Sequence, residues 1–257
     1  MKYYKPLLRK GCFTRHNVVK MSGNQNTASS IIRNYLKKGY IQSVKRNLYV
    51  AVDLIDDEPI VNRYVIASSL TDSAYISHHT ALEYYGYANQ VFYDVYVSSE
   101  KRFHDFEFGG FTYRYVMPRL DIGVVEKPDG VKVTDLERTI IDSINDFERI
   151  GGLEELLRCL EIIPYVDEAK LLMYLKCYNK QILFQKTGYI LEYFKDSLKL
   201  SDAFFKTCAA AIAKSVRYLY RGLDKENATY NKRWRLIVPT NLMAIISEGV
   251  GEFAWLR

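Results

Sequence analysis

The sequence predicts an α+β protein with a small N-terminal domain, residues 1–57, and a larger C-terminal domain, residues 58–257. Three observations lead to this fold class. The N-terminal segment is basic and combines two helical patterns with two β-rich runs; strand-like and helical patterns then alternate to about residue 150; and the patterns after residue 152 are mainly helical. The last long helix is expected over 202–220. The C-terminal domain should therefore be mixed α/β at first and helical at its end.

The composition is that of an ordinary globular protein. Of 257 residues, 48% are hydrophobic and 26% are charged, which excludes disordered and low-complexity classes. No apolar run approaches the roughly 20 residues of a membrane-spanning helix, and the basic start lacks the apolar stretch of a secretory signal. We therefore expect a cytoplasmic protein without membrane contact. The four scattered cysteines form no Cys-x-x-Cys pair, so we expect reduced thiols rather than disulfides or a zinc site.

The charge is distributed unevenly along the chain. Residues 1–52 contain 11 Lys or Arg and no Asp or Glu, whereas residues 53–213 contain 17 basic and 26 acidic residues. A second basic segment, 214–235, has seven basic residues against two acidic ones. An acid-free basic head on an acidic body is expected of a module that binds a polyanion. The alternative is a small subdomain whose cations are simply solvated.

Capping residues and apolar spacing predict two helices within the basic head. Thr14 can cap a first helix, which Gly23 ends, and Asn24 can cap a second helix over 25–38. Five apolar positions of the second helix follow the i, i+3, i+4, i+7, i+8 spacing of one buried face: Ala28, Ile31, Ile32, Tyr35 and Leu36.

Two β-rich runs, 40–44 and 48–52, follow these helices and are joined by the cationic turn Lys45-Arg46-Asn47. Asn tolerates the positive φ of a tight hairpin turn. Helix, turn, helix and then a hairpin with cations at its tip is the order of a winged helix-turn-helix domain. Some winged domains contact only other proteins, but the missing acids favour binding to double-stranded DNA.

In a winged helix-turn-helix domain, the start of the second helix reaches base edges in the major groove. Asn and Gln side chains pair with adenine, and Arg33 suits guanine or a phosphate. Lys45 and Arg46 on the hairpin suit phosphates or the minor groove. The predicted DNA-binding residues are Gln25, Asn26, Thr27, Ser29, Ser30, Arg33, Lys37, Lys45, Arg46 and Asn47.

The second basic segment offers a candidate partner-binding surface. If the helix over 202–220 continues further, four cations recur every three or four residues and form one stripe: Lys214, Arg217, Arg221 and Lys225. Such a stripe could hold DNA, bind an acidic partner protein, or be solvated.

No known catalytic motif is present, and we expect no enzyme activity, metal or cofactor. The adjacent residues His78 and His79 point apart on a helix and favour a structural or interfacial role. Asp135 and Asp142, with Arg138 between them, fit a salt-bridged helix surface better than an acid pair. Asp94 and Glu107 would suit a nuclease-like pair of carboxylates on two strands, but Gly109 stands where such a site needs lysine.

Several segments resemble AbiEi-type antitoxins, which are transcriptional regulators of abortive-infection (type IV toxin–antitoxin) systems. Asn47 departs from this pattern, in which the turn of the wing has Gly. The matching segments are the winged module over 13–39, LYV at 48–50, YISHHTAL at 75–82 and VTDLERTIID at 133–142.

The resemblance implies a non-enzymatic protein with two roles. The winged domain would bind inverted-repeat operator DNA of its own operon and repress it. The C-terminal domain would counteract a cognate nucleotidyltransferase-like toxin from the same operon, in defence against phage. A DNA-processing enzyme, in which the winged domain delivers a nuclease-like α/β domain, is the first alternative. A ligand-sensing transcription factor is the second.

Overall fold

In the computed structural model, which describes residues 2–247, the chain divides into two units that each use three separate stretches of sequence. The first unit consists of 1–76, 93–118 and 124–133, and the second of 77–92, 119–123 and 134–257. The first unit thus continues past residue 57, where the sequence analysis places a domain boundary.

The first unit begins with three helices and a three-stranded antiparallel sheet. The helices are α1 Tyr4–Lys10, α2 Arg15–Ser22 and α3 Gln25–Lys37. The strands are β1 Cys12–Thr14, β2 Ile41–Lys45 and β3 Leu48–Ala51, in the order β1-β3-β2. Both predicted helices and both predicted strands of this segment are present.

Local hydrogen bonds start α2 and α3 where the sequence predicts. The hydroxyl of Thr14 accepts a hydrogen bond from the amide of Asn17. The Asn24 side chain accepts from the amides of Asn26 and Thr27 at 2.8 and 3.1 Å. Each cap satisfies amides that have no partner within the helix.

Packing of α3 against the rest of this segment follows the predicted face at three of five positions. Ala28, Ile32 and Tyr35 are buried, whereas Ile31 is half-buried and Leu36 is exposed. The buried face of α3 packs in one cluster with Tyr4, Leu7, Phe13, Val18, Ile41 and Ala51. This apolar cluster orients the opposite, polar face of α3 outward.

The short helix α4, Arg63–Ser68, is followed by a six-stranded mixed sheet. The strands of this sheet are β4 Tyr75–Ile76, β5 Asp94–Ser98, β6 Phe106–Phe108, β7 Phe111–Val116, β8 Val124–Glu126 and β9 Lys132–Thr134. Their order in the sheet is β6-β7-β5-β4-β9-β8. Only Thr134 of these strands falls in the second unit. Strands β6 and β7 pair as an antiparallel hairpin that turns at Gly109-Gly110.

The second unit is mainly helical. Its elements are α5 His78–Tyr85, α6 Leu136–Asn145, a 3-10 helix Phe147–Ile150, α7 Leu153–Ile162, α8 Glu168–Tyr178, α9 Gln181–Glu192, α10 Asp202–Ala210, β10 Arg217–Tyr218, β11 Ala228–Asn231, β12 Leu236–Pro239 and α11 Ala244–Ser247. The three strands form a small sheet in the order β10-β12-β11. None of the helices among residues 2–247 is long and apolar enough to span a membrane.

The long helix predicted over 202–220 is wrong. Helix α10 ends at Ala210, and residues 217–218 pair in parallel with β12. The amide of Arg217 donates to the carbonyl of Arg235, and that of Leu219 donates to the carbonyl of Ile237. Backbone pairing with a distant strand therefore replaces the helical hydrogen bonds.

The starts of α6 and β5 are set by local contacts. Asp135 is the N-cap of α6, and its side chain accepts a hydrogen bond from the amide of Arg138 at 2.8 Å. Strand β5 begins at Asp94, and Val91 and Tyr93 before it are exposed.

A buried ion pair organises the first helix of the C-terminal stretch. The Nε of Arg138 donates to the Asp142 carboxylate at 2.9 Å, with both side chains almost fully buried. The same guanidinium donates to the carbonyls of Leu120 and Ile122, and the Tyr178 hydroxyl donates to Asp142. The predicted ion pair is present, but it lies in the interior rather than on a helix surface.

The carboxylate of Glu155 is a second buried polar centre of this unit. Its oxygens accept hydrogen bonds from His79 Nε2 at 3.2 Å and from the amides of Asn89 and Gln90 at 3.0 and 3.1 Å. The ring of His79 also stacks on Phe92, with centroids 3.7 Å apart. These contacts join α5, α7 and the 89–92 loop.

The small C-terminal sheet packs on α9 through Trp234. Its indole ring is fully buried and lies against Gly188, where a Cβ atom would come within 2.0 Å of the ring. The indole N–H donates to Glu192 at 2.6 Å. Only glycine at position 188 leaves room for this ring.

We expect Gly188→Ala to destabilise the protein by about 1–3 kcal/mol, because the added methyl group clashes with a buried ring. Helix propensity alone predicts the opposite sign, since Ala is favoured over Gly within a helix. Urea unfolding of the variant measures the difference. The double variant Gly188→Ala/Trp234→Leu is the control, because removal of the ring should remove the clash. A more stable single variant would contradict the packing argument.

Protonation of Glu155 should lower the free energy of unfolding at acid pH. Burial raises the pKa of Glu155, but the hydrogen bonds from His79 and from the amide of Gln90 outweigh it, so the pKa lies below its ordinary value of 4.5. A carboxyl group with a lowered folded-state pKa stabilises the protein above the unfolded-state pKa, and that contribution is lost as the pH falls through the folded-state pKa. Glu155→Gln should reduce stability at pH 7 by about 1–3 kcal/mol and weaken the loss below pH 4.5.

Urea unfolding between pH 3 and 7 checks this expectation. Glu154→Gln is the matched control, since Glu154 forms a partly exposed pair with Arg158 that is worth about 0–1 kcal/mol. Equal effects of the two substitutions would contradict a special role for the buried carboxylate.

Candidate nucleic-acid interface

The outward face of α3 carries most of the residues that the sequence predicts to contact DNA. The sequence predicts short polar side chains near the start of this face and cations further on. Those that are exposed are Gln25, Asn26, Thr27, Ser30, Arg33 and Lys37. Ser29 is only half-buried, and its hydroxyl donates to the carbonyl of Gln25 at 2.9 Å.

Arg15 is a cation of this surface that the sequence analysis did not select. It is exposed at the start of α2, and its Nη2 donates to the Ser29 hydroxyl at 2.7 Å. The guanidinium therefore lies beside the first turns of α3. Its position next to the N-cap Thr14 was the available signal, but only the packing of α2 and α3 places it there.

The turn between β2 and β3 is held against the start of α2. Asn47 has a φ of 66°, in the left-handed region, as the sequence analysis expects for this turn. Its side-chain oxygen accepts a hydrogen bond from the amide of Arg15 at 3.1 Å. Asn47 thus has a structural role, while Arg46 beside it is exposed.

Lys45 is more enclosed than a typical phosphate-binding lysine. Its Nζ lies 4.8 Å from the ring centroid of Phe103 and 5.6 Å from that of Phe106. Burial, together with the nearby charge of Lys101, lowers the pKa of Lys45. The ammonium group therefore contacts aromatic rings and shares its surroundings with a second cation.

A hollow with a volume of about 480 Å³ lies beside this turn within the first unit. Two cations beyond residue 57, Lys101 and Arg102, line it and are exposed. One acidic residue, Asp72, also lines it. We define the cationic surface as the exposed or partly exposed cations that flank α3 and this hollow: Arg15, Arg33, Lys45, Arg46, Lys101 and Arg102.

The six cations of the cationic surface outnumber Asp72, the acidic residue that lines the hollow. Over the described part of the chain, the ion pairs involve none of the six side chains of this surface. Like charges held together without counter-charges raise the free energy of the isolated protein and attract polyanions. The surface can therefore bind phosphates beside the polar face of α3.

The four cations predicted to form a partner-binding stripe do not share a helix. Lys214 follows the end of α10, Arg217 lies in β10, Arg221 lies in a turn and Lys225 in a bend. The stripe is therefore wrong, because the chain leaves the helix at Ala210 to pair with β12. Arg217 and Arg221 instead line one cleft, which is described below.

The residues considered for catalysis have other partners. His78 and His79 are both buried, in agreement with a structural role. Asp94 accepts a hydrogen bond from Arg114 at 3.1 Å, and the exposed Glu107 lies on β6, separated from β5 by β7. Among residues 2–247, no group of three or more His, Cys, Asp or Glu is arranged to hold a metal ion.

Comparison with known proteins gives a likeness of fold. No protein-family model matches the chain, and no curated protein matches it. The crystal structure of the RV2827C protein from Mycobacterium tuberculosis is similar, with a TM-score of 0.64 and 13% sequence identity over 95% of this chain and 93% of that chain. The likeness concerns the α+β fold over nearly the full length of both chains.

Substitutions at Asn47 should separate its backbone role from its side-chain role. Asn47→Gly keeps the positive φ and loses the bond to Arg15, whereas Asn47→Ala loses both. We expect the Ala variant to be about 1–2 kcal/mol less stable than the Gly variant, because a left-handed backbone conformation is costly for Ala. Hydrogen exchange at the Arg15 amide should be faster in both variants.

Urea unfolding, followed together with this exchange, provides the measurement. Asn34→Ala, an exposed position on α3, is the control and should change neither quantity. Equal stability of the Gly and Ala variants would contradict the role of φ, and unchanged exchange would contradict the hydrogen bond.

Proposed function

We propose that residues 1–57 form a winged helix-turn-helix module that binds double-stranded DNA. Helix α3 is the recognition helix and the turn between β2 and β3 is the wing. The observation that carries this proposal is the combination of an exposed Asn, Gln, Ser and Arg face on α3 with the cationic surface around it. Neither a solvated helix nor a protein-binding wing requires this combination.

Helix α3 suits the major groove in length and chemistry. Its 13 residues span about 20 Å, and its first turn exposes Gln25 and Asn26. Amide side chains form bidentate pairs with adenine, and Arg33, two turns further on, suits guanine or a phosphate. These residues supply the sequence preference of the proposed complex.

The cations around α3 supply affinity and register. Arg15 lies beside the first turns of the helix, Arg46 lies at the tip of the wing, and Lys101 and Arg102 extend the same surface beyond the module. Contacts to phosphates position a protein on the duplex without selecting sequence. Lys45 contributes to the local potential, although its ammonium packs on two rings.

The DNA in this proposal is an inverted-repeat operator upstream of the chain's own operon, which the protein represses. The second unit counteracts a nucleotidyltransferase-like toxin encoded beside it, and the protein acts without catalysis. The resemblance of residues 13–39, 48–50, 75–82 and 133–142 to AbiEi-type antitoxins supports this part. The rival DNA-processing enzyme lacks such support, since Asp94 and Glu107 lie on strands separated by a third.

Fluorescence anisotropy of the full chain, with its own upstream DNA and with a scrambled duplex, tests the proposal. With five exposed cations on phosphates, log K should fall with log salt concentration with a slope of about −4 to −5. The native duplex should bind more tightly than the scrambled one. Weak binding that does not distinguish the two duplexes would overturn the operator proposal, and a flat salt response would overturn the phosphate contacts.

Two variants divide specificity from affinity. Arg33→Ala should reduce the preference for native DNA by about 1–3 kcal/mol. Arg46→Glu should weaken the binding of both duplexes roughly tenfold and reduce the magnitude of the salt slope by about 1. Neutralisation of the neighbouring toxin should be retained. Lys176→Glu, an exposed position in α8, is the charge-matched control. An equal loss in the control would show that net charge alone governs binding.

A further inference from the structure

We propose that a cationic cleft in the second unit binds a nucleoside triphosphate. The cleft has a volume of about 770 Å³ and lies where α9 begins and β10 passes. Four cations line it: Lys180, Lys186, Arg217 and Arg221. This site is separate from the proposed DNA-binding module and does not depend on it.

The positive charge of the cleft is concentrated and unpaired. No carboxylate is among its lining residues, although residues 53–213 as a whole carry more acids than bases. None of the ion pairs described for residues 2–247 uses one of the four cations. An anionic ligand would supply the missing counter-charge.

The two lysines are held in place by uncharged groups. The Nζ of Lys180 donates to the side-chain oxygen of Asn145 at 3.3 Å, and that of Lys186 lies 4.5 Å from the ring centroid of Phe147. Burial lowers the pKa of both lysines; the charge of Arg119 adds to this for Lys180, while Asp146 opposes it for Lys186. Their contacts position the ammonium groups without neutralising them.

The start of α9 adds a set of amides to the same cleft. Lys180 occupies the N-cap and provides no side-chain cap for this 12-residue helix, and Gln181 and Ile182 of its first turn line the cleft. The first amides of a helix lack partners within it and favour anions, phosphate above all. Cations and helix amides thus converge on one place.

The side chain of Gln185 connects α9 to residues 215 and 234–235 by hydrogen bonds. It lines the cleft and is fully buried. Its Nε2 donates to the carbonyls of Ser215, Trp234 and Arg235 at 3.1–3.2 Å. Its Oε1 accepts no hydrogen bond from the described part of the protein, which leaves one acceptor for a donor that enters from the cleft.

Two aromatic side chains, one on β10 and one just after it, favour a nucleotide over a simple phosphate. Tyr218 is 47% exposed and lines the cleft beside Arg217, and Tyr220 lines it further along. Nucleobases stack on such rings and gain affinity that a phosphate group alone does not. The volume of the cleft lies within the range of about 300–1,000 Å³ that small-ligand pockets occupy.

Binding of a fluorescent N-methylanthraniloyl derivative of ATP to the full chain tests this inference, with competition by unlabelled ATP, inorganic triphosphate and adenosine. We expect ATP to compete best, triphosphate less well and adenosine least. Arg217→Ala/Arg221→Ala should weaken ATP binding at least tenfold. Tyr218→Ala should weaken the binding of ATP but not that of inorganic triphosphate.

Lys206→Ala/Lys232→Ala, which removes two exposed cations outside the cleft, is the matched control and should bind ATP as the native chain does. Arg46→Glu should also leave ATP binding unchanged, which separates this site from the proposed DNA surface. Failure to bind ATP at 1 mM, unchanged affinity in the double arginine variant, or equal competition by ATP and triphosphate would overturn the assignment.

Discussion

The buried guanidinium of Arg138 imposes the strictest requirement on the second unit. A charged group removed from water destabilises the fold unless an opposite charge and further hydrogen bonds compensate it. Asp142 supplies the charge, and the carbonyls of Leu120 and Ile122 accept further hydrogen bonds. Tyr178 completes the cluster from α8. Because one side chain needs all these partners at once, α6, α8 and the 119–123 segment must take one arrangement.

Buried charges and surface cations of this protein are compensated in different ways. In the second unit, the buried charges of Arg138 and Glu155 are enclosed by partners from the same unit. In the first unit, the six side chains of the cationic surface take part in none of the ion pairs described for residues 2–247. Internal pairing stabilises a fold, whereas unpaired surface charge stabilises only a complex with an opposite charge. The same reasoning connects the proposed DNA surface with the cleft beside α9.

Local chemistry accounts for the successful predictions in the basic head. Thr14 and Asn24 cap helices through amides two or three residues away, and Asn47 adopts the positive φ that Asn tolerates in a tight turn. The caps act over two or three residues and the positive φ belongs to one residue, so a sequence displays them directly. The failed helix over 202–220 is the contrasting case: its local pattern is helical, but strand pairing with β12 provides better backbone partners.

The sequence by itself determined the α+β class, the helices and hairpin of the basic head, its missing acids and most of the exposed face of α3. Tertiary structure alone decided that Lys101 and Arg102 join Lys45 and Arg46 around one hollow, and that Arg217 and Arg221 meet Lys180 in one cleft. The physical reason is the range of the interactions. Caps and periodicity act over one or two turns, whereas a binding surface is assembled by packing between residues that lie tens of positions apart.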